Sequence, residues 1–176
     1  MTRPIIDPHF GIDLDRLTAF LSASDQVVCL TGAGCSLASG IPTYRTENGD
    51  WQGRNPINHQ DFLEAFETRQ RYWARSFMGW PLMSNAQPNP AHRALTELVT
   101  LGKIKTLITQ NVDSLHEQAG LTDVQHLHGD LTEVTCLVCG ASEPRIQLQT
   151  RLADLNTHLE LDGEIKPDGD AEISPE

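Results

Sequence analysis

A short apolar strand that runs straight into a glycine turn constrains this chain more than any other feature. Gln26-Val27-Val28-Cys29-Leu30-Thr31 is apolar and β-branched along its length, the pattern of a buried strand. It leads into Gly32-Ala33-Gly34. A strand ending in a Gly-rich turn before a helix opens a nucleotide-binding βα unit. The dinucleotide fingerprint G-x-G-x-x-G would need glycine where Leu37 stands, so the ordinary dehydrogenase version fails. The turn still permits close backbone approach to a pyrophosphate, with a helix N-terminus facing it. A tight strand–helix turn explains the same glycines equally well.

The rest of the chain repeats the alternation. Asp13 to Ala23 places Leu14, Leu17 and Leu21 on one helical face. Residues 43–58 are polar and read as a long loop. Asp61 to Phe77 reads as helical, with Trp80-Pro81 expected to break the pattern. Asn89-Pro90 is a helix start, Asn as cap and Pro at the first turn. Ala94, Leu95, Leu98 and Leu101 continue that helix, and Gly102 stops it. Lys103 to Thr109 is a second strand, a short helix after Asp113 runs through Ala119 and is closed by Gly120, and Val124 to Leu127 is a third strand. Strands separated by helices predict an α/β fold with a parallel, Rossmann-like sheet.

Charge and length narrow the function classes. The 176 residues suit one ordinary domain. The net charge is −11, and a duplex reader carries a basic face, so the balance argues against nucleic acid as a partner. Eight acidic residues against Lys166 alone fall from Asp154 onward, so that end reads as a solvated acidic tail or as a loop leading to a further element. No apolar run approaches the roughly 20 residues of a membrane-spanning helix, and the first residues hold no secretory hydrophobic core. No membrane association and a cytoplasmic location are the expectations. The four cysteines then read as thiols or ligands rather than disulfides.

Three groups carry chemistry. Gln110-Asn111-Val112-Asp113 directly follows the second strand, at the end where open α/β sheets place ligands. Helix capping explains one such residue well and three in a row poorly. His128 ends the third strand and precedes Gly129, so its ring can reach a cleft and take a proton near neutral pH. His126, two residues earlier, shares its face by strand period and competes for that role. Cys136 and Cys139 have metal-ligand spacing, or are two free thiols in a turn.

Taken in order, Thr31-Gly32-Ala33-Gly34-Cys35-Ser36 through Gly40-Ile41-Pro42-Thr43-Tyr44-Arg45, then Gln110-Asn111-Val112-Asp113, His128-Gly129 and the Cys136/Cys139 pair resemble the sirtuin family of NAD-dependent protein deacylases. The runs Arg71-Tyr72-Trp73-Ala74-Arg75 and Gln87-Pro88-Asn89-Pro90-Ala91-His92 resemble its sirtuin-4-like and bacterial branch. The resemblance implies NAD as cofactor, acyl-lysine proteins or peptides as substrates, and transfer of the acyl group to ADP-ribose with release of nicotinamide. Gly32, Ala33, Gly34 and Ser36 would hold the pyrophosphate. Tyr44 and Arg45, in a cofactor loop spanning 43–58, would close over the ribose and phosphates. Asp113 with the Ile41-Pro42 backbone would receive the nicotinamide amide, and Gln110 and Asn111 the ribose beside it. His128 would be the general base. Cys136 and Cys139 would supply half of a structural Zn2+ site. Tyr72 and Arg75, one helical turn apart, resemble a receptor for acidic acyl groups.

The same resemblance implies a Rossmann-like domain over 1–130 and part of a zinc-binding lobe with an acidic tail over 131–176. It stops before a second cysteine pair and the strands beyond it, so the chain reads as a C-terminally truncated, weak or inactive form. The rival expectations are a non-catalytic NAD-binding module and a protein ADP-ribosyltransferase.

Overall fold

The computed structural model describes residues 10–43, 48, 57–157, 164–165 and 171–172. Helix α1 (Phe10–Ala23) precedes strand β1 (Val27–Thr31), which runs into a 3₁₀ helix (Ala33–Ser39). Helices α2 (His59–Glu64), α3 (Phe66–Asn85) and α4 (Pro90–Thr100) follow, then β2 (Ile104–Thr109), α5 (Leu115–Gln118) and β3 (Val124–His126). A hairpin, β4 (Glu133–Thr135) and β5 (Ser142–Pro144), leads directly into α6 (Arg145–Leu155). Two short strands, β6 (Glu164–Ile165) and β7 (Ala171–Glu172), pair antiparallel in the acidic segment.

The expected parallel sheet is present, in the order β1-β2-β3. Leu30 pairs with Ile108 and Thr31 with Thr109, and Thr109 in turn pairs with His126. One face of the sheet is covered: Leu107 and Thr109 are buried, and α4 packs against β2 and α5. The other face is open, with Val28 61% and Leu30 59% exposed. The apolar stripe of α1 is half exposed as well, at Leu14, Leu17 and Phe20. The buried hydrophobic cluster is small and local: Ile41, Ala86 and Leu115, with Met83 packed against it. It sits at the C-terminal ends of the strands, where it underlies the site.

The helix expected after the glycine turn is a 3₁₀ helix of seven residues. Two expectations need correction. The predicted break at Trp80-Pro81 does not occur, and α3 continues to Asn85 with Pro81 inside it. Pro81 has no N–H for the carbonyl four residues back. That carbonyl, of Phe77, accepts a hydrogen bond from Gln149 Nε2 of α6 at 3.0 Å instead, so the defect is repaired from outside the helix. The third strand stops at His126, so strand period does not carry through to His128.

The helix start at Asn89-Pro90 is as predicted. The Asn89 side chain accepts from the Ala91 and His92 amides, and the His92 ring accepts from Asn89 N–H in return. Helix α4 closes at Leu101, and Gly102 takes φ 71°.

Candidate functional site

The parallel arrangement brings the glycine turn after β1 and the Gln110–Asp113 run after β2 side by side. Between them opens a cavity of about 510 Å³, lined by Ala33, Ser36, Ile41, Pro42, Thr43, Met83, Gln110, Asn111, Val112, Asp113 and His128. Eight residues singled out in the sequence therefore share one wall. Gly32 lies just behind them, its carbonyl accepting from Asn111 Nδ2 at 3.1 Å. Gly34 is exposed on the outer side of the 3₁₀ helix. Tyr44 and Arg45 lie outside the described residues.

A buried network holds the acid in place. Asp113 is 9% exposed. Its Oδ2 accepts from Ser36 Oγ at 2.6 Å and its Oδ1 from the Leu115 amide at 3.0 Å. Ser36 Oγ accepts in turn from Asn111 Nδ2 at 3.0 Å, and the Asn111 amide donates to Thr109 Oγ1 at 3.0 Å. The links come from three elements: Ser36 from the 3₁₀ helix, Thr109 and Asn111 from the end of β2, and the Leu115 amide from the start of α5. Ser114, between Asp113 and α5, is the one described non-glycine residue at positive φ, 55°. This left-handed kink turns the chain so that Asp113 faces the cavity while Leu115 is fully buried.

His126, the last residue of β3, and His128, just beyond it, part company. His126 is partly buried and its Nε2 meets Glu117 Oε1 of α5 at 2.5 Å. Burial works against its charged form, but the Glu117 hydrogen bond and charge outweigh that and hold its pKa above the ordinary imidazole value. His128 is exposed on the cavity rim, with Nδ1 3.0 Å from the Gln110 carbonyl oxygen. A carbonyl only accepts, so Nδ1 carries the proton and Nε2 presents a bare lone pair.

The remaining candidates lie elsewhere. Cys136 and Cys139 sit on the exposed turn joining β4 to β5, closed by Gly140 N–H to the Cys136 carbonyl at 2.9 Å. Backbone amides of Cys139 and Val138 favour the Cys136 thiolate and lower its pKa. The turn suits two of the four ligands of a tetrahedral zinc site, and among the described residues no third ligand joins them. Tyr72 and Arg75 belong to α3 and line neither side of the cavity; the Tyr72 ring packs edge-on against Phe62 at 5.0 Å and Trp73 at 5.2 Å.

Three groups under the site, the buried His92 and His116 and the half-buried Cys35, escaped sequence reasoning as a set. Their ligating atoms lie within 4.8 Å of one another. Burial pushes both imidazoles down and the Cys35 thiol up in pKa, so all three are neutral at pH 7. The signal for His92 was its place three residues after the Asn89 cap. Cys35 and His116 carried none, because only the fold brings the ends of β1 and β2 together. Nor did Met83 and Val112, which complete the apolar part of the cavity.

The Sir2 family profile matches residues 32–168. The chain is 46% identical to the NAD-dependent protein deacetylase 2 of Bradyrhizobium diazoefficiens, covering 89% of this chain and 58% of that protein. It is 45% identical to the human mitochondrial NAD-dependent protein lipoamidase sirtuin-4, over 98% of this chain and 55% of the relative. A crystal structure of Sir2 with the inhibitor EX-527, 2'-O-acetyl-ADP-ribose and a deacetylated p53 peptide superposes with a TM-score of 0.65. There the identity is 34%, over 79% of this chain and 55% of that one. The chain thus spans a little over half the length of these relatives. With the profile covering most of the sequence and both the parallel sheet and the cavity in place, the chain belongs to the Sir2 family.

Proposed function

We propose that the cavity binds the nicotinamide end of NAD and that this chain carries the NAD-handling part of a protein-lysine deacylase. The observation that carries the reading is the convergence of Asp113, Asn111 and His128 on one 510 Å³ hollow at the C-terminal ends of parallel strands. Its size suits a mononucleotide-sized group, and an apolar floor with a few fixed polar groups is what such ligands need. Asp113 is preorganised by Ser36 and the Leu115 amide, so it can accept from an amide N–H without rearranging. Ile41 and Pro42 supply the apolar wall beside it. Gln110 and Asn111 face the ribose, and the turn from Gly32 to Ser36 receives phosphate. When bound, NAD would supply a ribose carbon that an acyl-lysine oxygen can attack as the bond to nicotinamide breaks and nicotinamide leaves.

His128 is the general base. Gln110 holds its Nδ1 proton, so Nε2 can take a proton from a sugar hydroxyl in the cavity. Cys136 and Cys139 provide two ligands toward a structural Zn2+, which takes no part in these steps. Tyr72 and Arg75 remain candidates for acyl selectivity only if substrate reaches α3. The named relatives act on proteins, and one solved relative holds a peptide, which supports an acyl-lysine peptide as partner here.

The test is nicotinamide release from NAD by this chain with a panel of acyl-lysine peptides. Release that requires peptide and falls at least 100-fold in His128→Ala, while calorimetric NAD affinity changes less than threefold, is the expected result. Equal release by the variant removes the assignment of His128. A second reading, NAD binding without turnover, is favoured by the open sheet face at Val28 and Leu30. It predicts heat of NAD binding with no nicotinamide released.

A further inference from the structure

Beneath the cavity a thiol and two imidazoles converge, with the Asp113 carboxylate close enough to act on all three. We propose that Cys35, His92 and His116 form a second binding site, for a divalent transition metal of the zinc class, distinct from the Cys136/Cys139 turn. One ligating atom from each lies within 4.8 Å of the others, and the two rings meet edge-on with centroids 4.9 Å apart. A thiolate with two imidazoles selects zinc-like ions, whereas magnesium and calcium require oxygen ligands.

The second observation is His116 Nδ1, which is buried with no hydrogen-bond partner. The other nitrogen, Nε2, lies 2.9 Å from Thr31 Oγ1, and the Thr31 hydroxyl donates to Thr109 Oγ1 at 2.9 Å. Thr31 therefore accepts from Nε2–H, which leaves Nδ1 as a bare lone pair in the protein interior. An unsatisfied buried polar atom costs about 1–3 kcal/mol. A metal ion removes that cost, and the Thr31 contact is the outer hydrogen bond that orients a ligating histidine.

The other two ligands can follow. His92 makes only long contacts: Nδ1 accepts from Asn89 N–H at 3.3 Å and Nε2 lies 3.5 Å from Ser36 Oγ. Turning this ring toward a metal gives up the long Asn89 half of the capping box, while the Asn89 side chain still caps α4. Cys35 is only half-buried, at the start of the 3₁₀ helix, which leaves a path from solvent. Zinc–sulfur and zinc–nitrogen bonds of about 2.3 and 2.1 Å place tetrahedral ligand atoms about 3.5 Å apart, so binding draws the three inward by roughly 1 Å. Cys35 releases one proton to water as the metal–sulfur bond forms, and both imidazoles bind neutral. Three protein ligands leave the fourth position open. Since Ser36 adjoins Cys35 and holds Asp113, occupancy is coupled to the cavity.

The experiment is a Co2+ titration of the tag-free chain carrying Cys136→Ser and Cys139→Ser, read by absorption. One equivalent is expected to give tetrahedral visible bands with a near-ultraviolet thiolate band, and one equivalent of Zn2+ to bleach both. Cys35→Ala in that background abolishes the thiolate band and weakens Co2+ binding at least tenfold, and Cys29→Ala changes neither. His116→Gln also weakens binding at least tenfold; if that variant does not fold, Cys35→Ala decides alone. Absence of the thiolate band when the turn cysteines are gone, its survival in Cys35→Ala, or its loss in Cys29→Ala overturns the proposal.

Discussion

Ser114 bears the local strain of the site. A side chain at φ 55° places Cβ against its own backbone, which costs about 1–2 kcal/mol, and only glycine escapes it. Glycine in turn gains entropy in the unfolded chain, which takes back part of the benefit. Ser114→Gly is therefore expected to stabilise the chain by about 0.5–1 kcal/mol in urea unfolding, with the midpoint raised and the slope unchanged. A lower midpoint would show that the Ser114 side chain has a role its backbone angle conceals. Sequence reading found Asp113 but not this kink, because Ser carries no signal for positive φ; only the need to aim Asp113 and bury Leu115 at once imposes it.

At the scale of elements, α3 and α6 are joined through a proline defect. Gln149 Nε2 serves the Phe77 carbonyl that Pro81 leaves without a helical donor. Arg145, 2% exposed, adds to the joint by donating to the Ser76 carbonyl at 3.2 Å and lying over the rings of Trp73 and Trp80. The Gln149 bond should matter only while Pro81 is present. In a double-mutant cycle, Gln149→Leu is expected to cost about 1 kcal/mol more in the parent than in the Pro81→Ala background, measured by chemical denaturation. Equal costs in the two backgrounds would sever the link. Helix α6 itself was not legible in the sequence: Ile146 and Leu155 are exposed, so its apolar residues do not form one stripe.

The pairing of α5 with β3 belongs to this scale too. His126 has a raised pKa in the folded chain, with Glu117 on α5 and Asp130 just past β3 facing it. A raised value means that the stabilisation is fully present below about pH 6.5, the unfolded value, and is lost as pH rises through the folded one. The melting temperature of the parent relative to Glu117→Gln is expected to fall as pH rises above about 6.5. Parallel profiles for the two would mean that the pair contributes no proton-linked stability.

For the molecule as a whole, the dominant fact is a sheet with one covered face and one open face. Val28 and Leu30 on β1 and the stripe of α1 leave a large apolar area in water. Such surface binds the dye ANS. The parent is expected to enhance ANS fluorescence several-fold, and Val28→Thr with Leu30→Thr to reduce that enhancement by about half without lowering the melting temperature. Unchanged fluorescence would place the dye elsewhere.

The sequence alone determined the strand-into-glycine turn, the Asn89-Pro90 helix start and the Gln110–Asp113 run, because each is written in a few adjacent residues whose local chemistry admits little else. It also singled out eight of the residues that line the cavity, because a parallel sheet gathers the segments after its strands on one side, but not Met83 of α3, which only the fold brings there. The tertiary structure decided the rest. It split His126 from His128 by ending β3 early, carried α3 through Pro81 by offering Gln149, and placed Cys35, His92 and His116 against one another. Each of these depends on contacts between residues far apart in the chain, where the satisfaction of a buried polar group is settled by whatever the fold brings within about 3 Å.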